Sequence, residues 1–172
     1  MTDWPIHSWI GVNHSDWTVR AAKFFHVPIC WTHCYLVFEM ADASLVVYEA
    51  DWRGVGPDKW DGAHRADGWA WFRDDRQTAE TVQELWAFSQ GSRGKIYDWP
   101  LLVKVAARII LRAWGLLRGL TWAEAGMAQV CSSFVSAASE AVYGEPYVDR
   151  DDPSPDEIVA NEHLHFYEGG GD

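Results

Sequence analysis

Along the first half of the chain, apolar residues come in short runs broken by turn residues. Along the second half they recur every three or four positions. "WIGV" (9–12) is a short apolar run ahead of polar residues and predicts a first strand. "SDWTVRAAKFF" (15–25) opens on a capping Ser15 or Asp16 and then repeats apolar residues at helical spacing, which predicts a short helix. Pro28 forces extended backbone just before it. "HCYLVFEM" (33–40) and "SLVVYEA" (44–50) are β-rich runs separated by "ADA", the pattern of an antiparallel hairpin. "DWRGVGPDKWDGAHRADG" (51–68) is rich in Gly and Asp and reads as a loop, and "WAWFRD" (69–74) as a third strand.

Helical spacing then takes over. In 76–92, Thr78 is the expected cap, Val82, Leu85, Trp86 and Phe88 form the apolar stripe, and Gly91 is the expected stop. A connector, 93–100, leads to "WPLLVKVAARIILRAWGLL" (99–117), where Lys104, Arg108 and Arg112 fall on one stripe. Those charges make it an amphipathic helix that ends near Gly115 and Gly119 and not a bilayer span: a helix packed on the core with a basic outer face, or else a surface for lipid or a partner. A further helix is expected over 131–144, with Phe134, Val135, Ala138 and Val142 on one stripe and Gly144 as its stop. Residues 149–163 read as a loop leading to a turn of helix, followed by one last short strand. There is no internal repeat and no dividing linker, so residues 1–172 are expected to form a single domain, with 166–172 a loose C-terminal tail.

Composition narrows the classes. With 48% hydrophobic and 23% charged residues, the chain is ordinary for a soluble globular protein, but its 12 tryptophans point to a large aromatic core or to aromatic grooves. A net charge of −11 argues against nucleic-acid binding, which needs a basic face, and against an anionic membrane surface. No stable membrane insertion is expected. The start "MTDWPIHSWI" lacks the basic and long apolar regions of a signal peptide, so the protein is expected to be cytoplasmic as synthesised. Three cysteines do not make a disulfide framework.

The stretch "CWTHCYLVFEM" (30–40) places Cys30, His33 and Cys34 together. A structural zinc site needs four converging ligands, and on a strand His33 and Cys34 point to opposite faces, so no metal is expected. C-x-x-x-C on an extended segment also lacks the helix N-terminus of a redox C-x-x-C motif. Cys34 reads as a small buried apolar side chain. By itself a histidine at the start of an apolar strand reads first as a satisfied structural residue, and two features tilt His33 towards function. Cys131 stands where a helix starts, which favours its thiolate and offers N–H groups to an oxyanion. Glu49, on the partner strand, shares a face with Leu45 and Val47 that can approach His33 or its neighbour. Alone it reads equally as a solvated strand-end carboxylate. Cys, His and a carboxylate are the nucleophile, base and orienting group of thiol catalysis.

The order of these residues resembles a known family. His33 in "WTHCYLVF", Glu49 in "LVVYEADWRGVG", Tyr97 and Asp98 in "GKIYDW", Cys131 in "VCSSFVSAA" and then "PSPDEIVAN" run as in the circularly permuted papain-like cysteine hydrolases of the NlpC superfamily. That group includes YiiX-like and YaeF-like proteins and, more distantly, the lecithin:retinol acyltransferases. The resemblance covers roughly residues 9–165. No one motif is specific, and the weight rests on the ordered set. Two departures are a threonine, Thr32, before the histidine and Cys34 where small apolar residues are common. A third is the 99–117 helix, which looks like an elaboration.

The resemblance implies an α+β, permuted papain-like (NlpC-type) fold, with an antiparallel sheet packed against helices. It implies Cys131 as nucleophile, His33 as base, Glu49 as third residue and Tyr97 as an oxyanion or substrate-binding group, with no cofactor. The implied activity is that of a cysteine peptidase or amidase from a phage or bacterium. Its substrate would be a peptide or other amide, including peptidoglycan fragments, or a lipid acyl group. The acidic charge suits a cell-wall peptide better than an anionic lipid, and a route to the wall other than a signal sequence would then be needed. The other class of reading is a non-catalytic binding module that keeps the fold and works through its Trp-rich loop, 51–72.

Overall fold

The computed structural model describes residues 4–13, 31, 33–51, 54–59, 68–95, 129–149 and 153–170. The expected helices at 15–25 and 99–117, Pro28, Cys30 and most of the 93–100 connector lie outside the described residues.

Six strands form one antiparallel sheet in the order β4-β3-β2-β1-β5-β6. They are β1 (Pro5–Asn13), β2 (His33–Met40), β3 (Leu45–Asp51), β4 (Gly54–Lys59), β5 (Trp69–Asp74) and β6 (Leu164–Gly170). The expected 33–40 and 44–50 hairpin is present. Its turn is closed by the Met40 N–H donating to Ser44 O and the Ala43 N–H donating to Met40 O, both at 2.9 Å. Asp42 accepts from the Ser44 N–H and hydroxyl, a local bond that lets Ala43 hold a φ of 62°.

Period-two alternation gives the sheet two apolar faces. Ile10, Val12, Cys34, Leu36, Phe38, Tyr48, Ala50 and Ala70 belong to the core shared with the helices. Trp9, Tyr35, Val37, Val47, Trp69 and Trp71 form a second cluster, in which Trp9 stacks on Trp71 with centroids 5.2 Å apart. A single run such as "CYLVF" therefore supplies both clusters, which is why it reads as continuously apolar.

Among the described residues, three helices cover the first face: α1 (Ala79–Ser92), α2 (Gln129–Tyr143) and α3 (Pro155–Val159). Thr78 caps α1 in a capping box with Thr81, and Val82 and Leu85 are buried beneath it. Trp86 meets Phe38 and Tyr48 edge-on at 5.1 and 5.4 Å. Phe134, Val135 and Ala138 turn α2 onto the sheet, as their spacing predicted.

Three expectations need correction. Residues 54–59, taken as loop, form edge strand β4. Its sequence, GVGPDK, has no apolar alternation, and Pro57 is tolerated there because an edge strand leaves some N–H positions without a ladder partner. Residues 166–170, taken as a loose tail, pair with β5 as part of β6. Gly91 does not stop α1, which runs on through Ser92; the left-handed residue is Gly94, φ 77°. From there the Gly94 N–H donates to Val55 O at 2.8 Å and ties the end of the helix to β4.

The open end of the sheet is fastened by buried Asp74, the last residue of β5. Its carboxylate accepts from the Arg76 backbone N–H, from Arg76 Nε and Nη2, and from the Tyr147 hydroxyl at 2.8 Å. Arg76 lies over the Tyr143 ring, 4.2 Å from its centroid, and pairs with Glu145. Strand β5, helix α2 and the loop after it are thereby held by one carboxylate.

Candidate active site: a thiol, an imidazole and a carboxylate at the end of β2

The ladder between β2 and β3 sets the geometry of the polar pair. Leu36 faces Tyr48 and Val37 faces Val47; continuing that register puts Glu49 opposite Tyr35 and diagonal to His33. The diagonal is closed by a contact of 2.9 Å between His33 Nε2 and Glu49 Oε2. The two side chains are only 22% and 13% exposed, so the contact is worth far more than a surface ion pair. Tyr35 floors it: its ring lies 5.7 Å from the His33 ring and occupies the space over Gly11, where a Cβ would come within 2.0 Å of Tyr35 Cε2. Burial, and then the charge of Glu49, push the Tyr35 hydroxyl well above its ordinary range, so it stays a neutral phenol.

The thiol arrives from the helix side. Cys131 is the third residue of α2, within the first turn, where backbone N–H groups have no intrahelical acceptor. Its sulfur is hydrogen-bonded by the Cys34 thiol and by His33 and is met by the Cys34 backbone N–H. These donors hold Cys131 well below the usual thiol range: the Cys34 bond contributes most, burial opposes it, and the charge and hydrogen bond of His33 add to it. Burial alone would lower His33, but the Cys131 charge and hydrogen bond and the Glu49 contact outweigh it and push His33 up to about 10. The pair therefore rests as thiolate and imidazolium. With Nε2 on Glu49, Nδ1 is the ring nitrogen left to serve the sulfur.

Alternation along β2 would separate these groups, because Cys34 lies on the helix face and His33 shares the Tyr35 face. They converge because His33 is the first residue of the strand, where Cys131 reaches both faces around the strand end.

Helix α3 and the turn before it brace that convergence. Ser132, next to the thiol, donates to Pro153 O, and Asp156 Oδ1 accepts the Trp31 N–H at 3.2 Å, just ahead of His33. One short segment thus holds the helix of Cys131 and the strand of His33 to each other. Ser154 caps it through a capping box with Glu157, and Ile158 anchors it in the core.

Of the residues singled out from sequence, Cys131, His33 and Glu49 are brought together. Tyr97 and Cys30 lie outside the described residues. Two contributors were missed. Cys34 reads from sequence as a small buried apolar side chain, and it is buried; nothing local marks a strand cysteine as the neighbour of another thiol as well. The brace at 153–156 was visible only as a loop with a Pro-rich start. Among the described residues no cluster of three His, Cys, Asp or Glu side chains could hold a metal ion, and no helix is long and apolar enough to cross a membrane. Comparison with protein-family models, with curated proteins and with solved structures returned no match.

Proposed function

We propose that the chain is a thiol hydrolase that cleaves an amide or ester bond, with Cys131 as nucleophile, His33 as base and acid, and Glu49 as the orienting carboxylate. The observation that carries this reading is the double engagement of His33, by Glu49 at 2.9 Å on Nε2 and by the Cys131 sulfur. Structural histidines rarely have an ionised thiol on one side and a buried carboxylate on the other, whereas thiol catalysis requires both.

In this mechanism the Cys131 thiolate attacks the substrate carbonyl carbon, and a carbon–sulfur bond forms as the carbonyl π pair moves to oxygen. The oxyanion is met by N–H groups of the first turn of α2, Cys131 included, with Tyr97 as a further donor. As the tetrahedral intermediate collapses, the imidazolium of His33 gives its proton to the leaving amine or alkoxide, and a thioester remains on Cys131. Neutral His33 then takes a proton from water, whose oxygen attacks the thioester and releases the acid. Glu49 does not take a proton; it fixes the tautomer and supports the imidazolium.

The α+β fold with an open antiparallel sheet and a cysteine at the start of a packed helix is compatible with the permuted papain-like arrangement of the NlpC type, and we propose that the chain has it. The substrate class proposed is a peptidoglycan stem peptide or a related amide, in keeping with the net charge of −11, which disfavours anionic lipid. The test is release of free amine from defined peptidoglycan fragments, run beside release of fatty acid from acyl lipids, with Cys131→Ala as control. Amine release by the wild type alone supports the reading. Fatty-acid release alone moves the substrate to lipids, and no turnover on either leaves a binding module.

A further inference from the structure

The hydrolytic reading uses one cysteine, yet two meet at the site. Cys34 is fully buried, Cys131 is 6% exposed, and neither is in a disulfide. They come from different elements, β2 and α2, lie in one buried core cluster, and each thiol is the other's hydrogen-bond partner. A second sulfur on the nucleophile has no place in acyl transfer. It sits where a thiol would intercept an oxidised Cys131.

We propose that Cys34 is a resolving cysteine: oxidation of Cys131 by hydrogen peroxide is captured by Cys34 as a Cys34–Cys131 disulfide, which switches the site off and protects the nucleophile from irreversible damage. The proposal rests on the same thiolate as the hydrolytic reading but not on its having any substrate.

The chemistry balances in two steps. The Cys131 thiolate attacks one peroxide oxygen, a sulfur–oxygen bond forms, the oxygen–oxygen bond breaks, and hydroxide leaves to take up a proton as water. Cys131 is then a sulfenic acid. The Cys34 sulfur attacks the Cys131 sulfur, the disulfide forms, the sulfur–oxygen bond breaks, and the departing hydroxide takes the Cys34 proton as a second water. In sum, two thiols lose two electrons and two protons, and one peroxide becomes two waters.

The surroundings time the second step. At rest Cys34 stays protonated, because burial and then the hydrogen bond and charge of Cys131 push it well above its ordinary value. Sulfenic acid carries no such charge. Oxidation of Cys131 therefore removes part of what held the proton on Cys34, and Cys34 becomes a nucleophile only once it has a target. His33, paired with Glu49 and beside Cys131, supplies the proton taken up by the hydroxide that leaves in the first step.

The experiment treats the whole protein with stoichiometric hydrogen peroxide, then measures intact mass and maps peptides without reduction. The expected result is a loss of two mass units, a linked peptide pair containing Cys34 and Cys131, and full return of both free thiols with dithiothreitol. In Cys34→Ala, treatment with two equivalents of hydrogen peroxide should add about 32 mass units at Cys131 as a sulfinic acid that dithiothreitol does not remove. Sulfinic acid on Cys131 of the wild type with Cys34 still reduced overturns the proposal, as does a disulfide that involves Cys30. A Cys131 that does not react with peroxide overturns both this proposal and the thiolate of the hydrolytic reading. A clean Cys34–Cys131 bond in a protein that hydrolyses nothing overturns the hydrolytic reading alone. The wild-type measurement stands even if Cys34→Ala does not fold.

Discussion

Glu49 reaches His33 across the diagonal of the β2–β3 ladder, not straight across it, with Tyr35 standing directly opposite Glu49. The carboxylate therefore approaches the imidazole at Nε2 while Tyr35 keeps water from below. Glu49→Gln preserves the shape and removes the charge. A fall in kcat/KM on the order of 10–10³ is expected, against reduction to background in Cys131→Ala. A fully active Glu49→Gln with an unaltered pH profile would remove Glu49 from the mechanism.

The paired shifts of Cys131 and His33 define a window. Activity needs the thiolate and the imidazolium together. It should fall on the acid side as Cys131 protonates and on the alkaline side as His33, raised to about 10, loses its proton. The same shift has a sign for stability: His33 lies above its ordinary 6.5, so its contribution is complete below that value and is lost as pH rises through about 10. Glu49→Gln should draw the alkaline limb to lower pH. Iodoacetamide should alkylate Cys131 readily at about pH 6.5, and a thiol that reacts only above about pH 8.5 would contradict the ion pair.

How much of this was legible in the sequence depended on how local the signal was. The 33–50 hairpin, the Thr78 cap and the α2 stripe are written in neighbouring residues and could be read directly. The approach of Glu49 to His33 follows from a short turn plus strand register, so it too was within reach. Strand β4 was not, because its pairing is imposed by β3 and by the Lys95 and Gly94 backbone and not by its own GVGPDK. The contact of Cys34 with Cys131 was invisible for the same reason: it depends on where a distant helix docks. Alternation correctly set Cys34 and His33 on opposite faces and still misled, because a strand end lets one thiol reach both.

Gly11 is required by Tyr35. A Cβ at position 11 would lie 2.0 Å from Cε2 and 2.7 Å from Cζ of that ring, too close for a small adjustment. Gly11→Ala should destabilise the protein by about 1–3 kcal/mol or more, measured by denaturant unfolding. It should also lower activity, because the displaced ring is the floor under His33 and Glu49. Adding Tyr35→Leu should recover stability but not the full rate.

The brace through Asp156 predicts a separation of effects. Asp156→Ala removes the acceptor of the Trp31 N–H at a partly buried site, so a modest loss of stability, about 1 kcal/mol, is expected. Because Trp31 leads into His33, kcat should fall by roughly 10-fold through misplacement of the imidazole. An unchanged kcat with an equal loss of stability would make Asp156 purely structural.

Asp74 anchors the other end of the sheet. Asp74→Ala strands the Tyr147 hydroxyl and, among the described residues, leaves Arg76 with the exposed Glu145 as its carboxylate partner, at a cost of about 3 kcal/mol. Thermal melting should report this loss, while the alkylation rate of Cys131 in the still-folded fraction should not change.

Five of the six strands, including those that carry His33 and Glu49, lie within residues 5–74, whereas Cys131 belongs to a helix made much later. On a ribosome, the imidazole and its carboxylate are synthesised and can pair before the cysteine has been added to the chain. Away from the sheet, Cys131 is an ordinary, mostly protonated thiol; its reactivity appears only when α2 docks. A nascent or half-folded molecule therefore carries no aggressive sulfur, and the hazard is created at the moment the shape that contains it is complete.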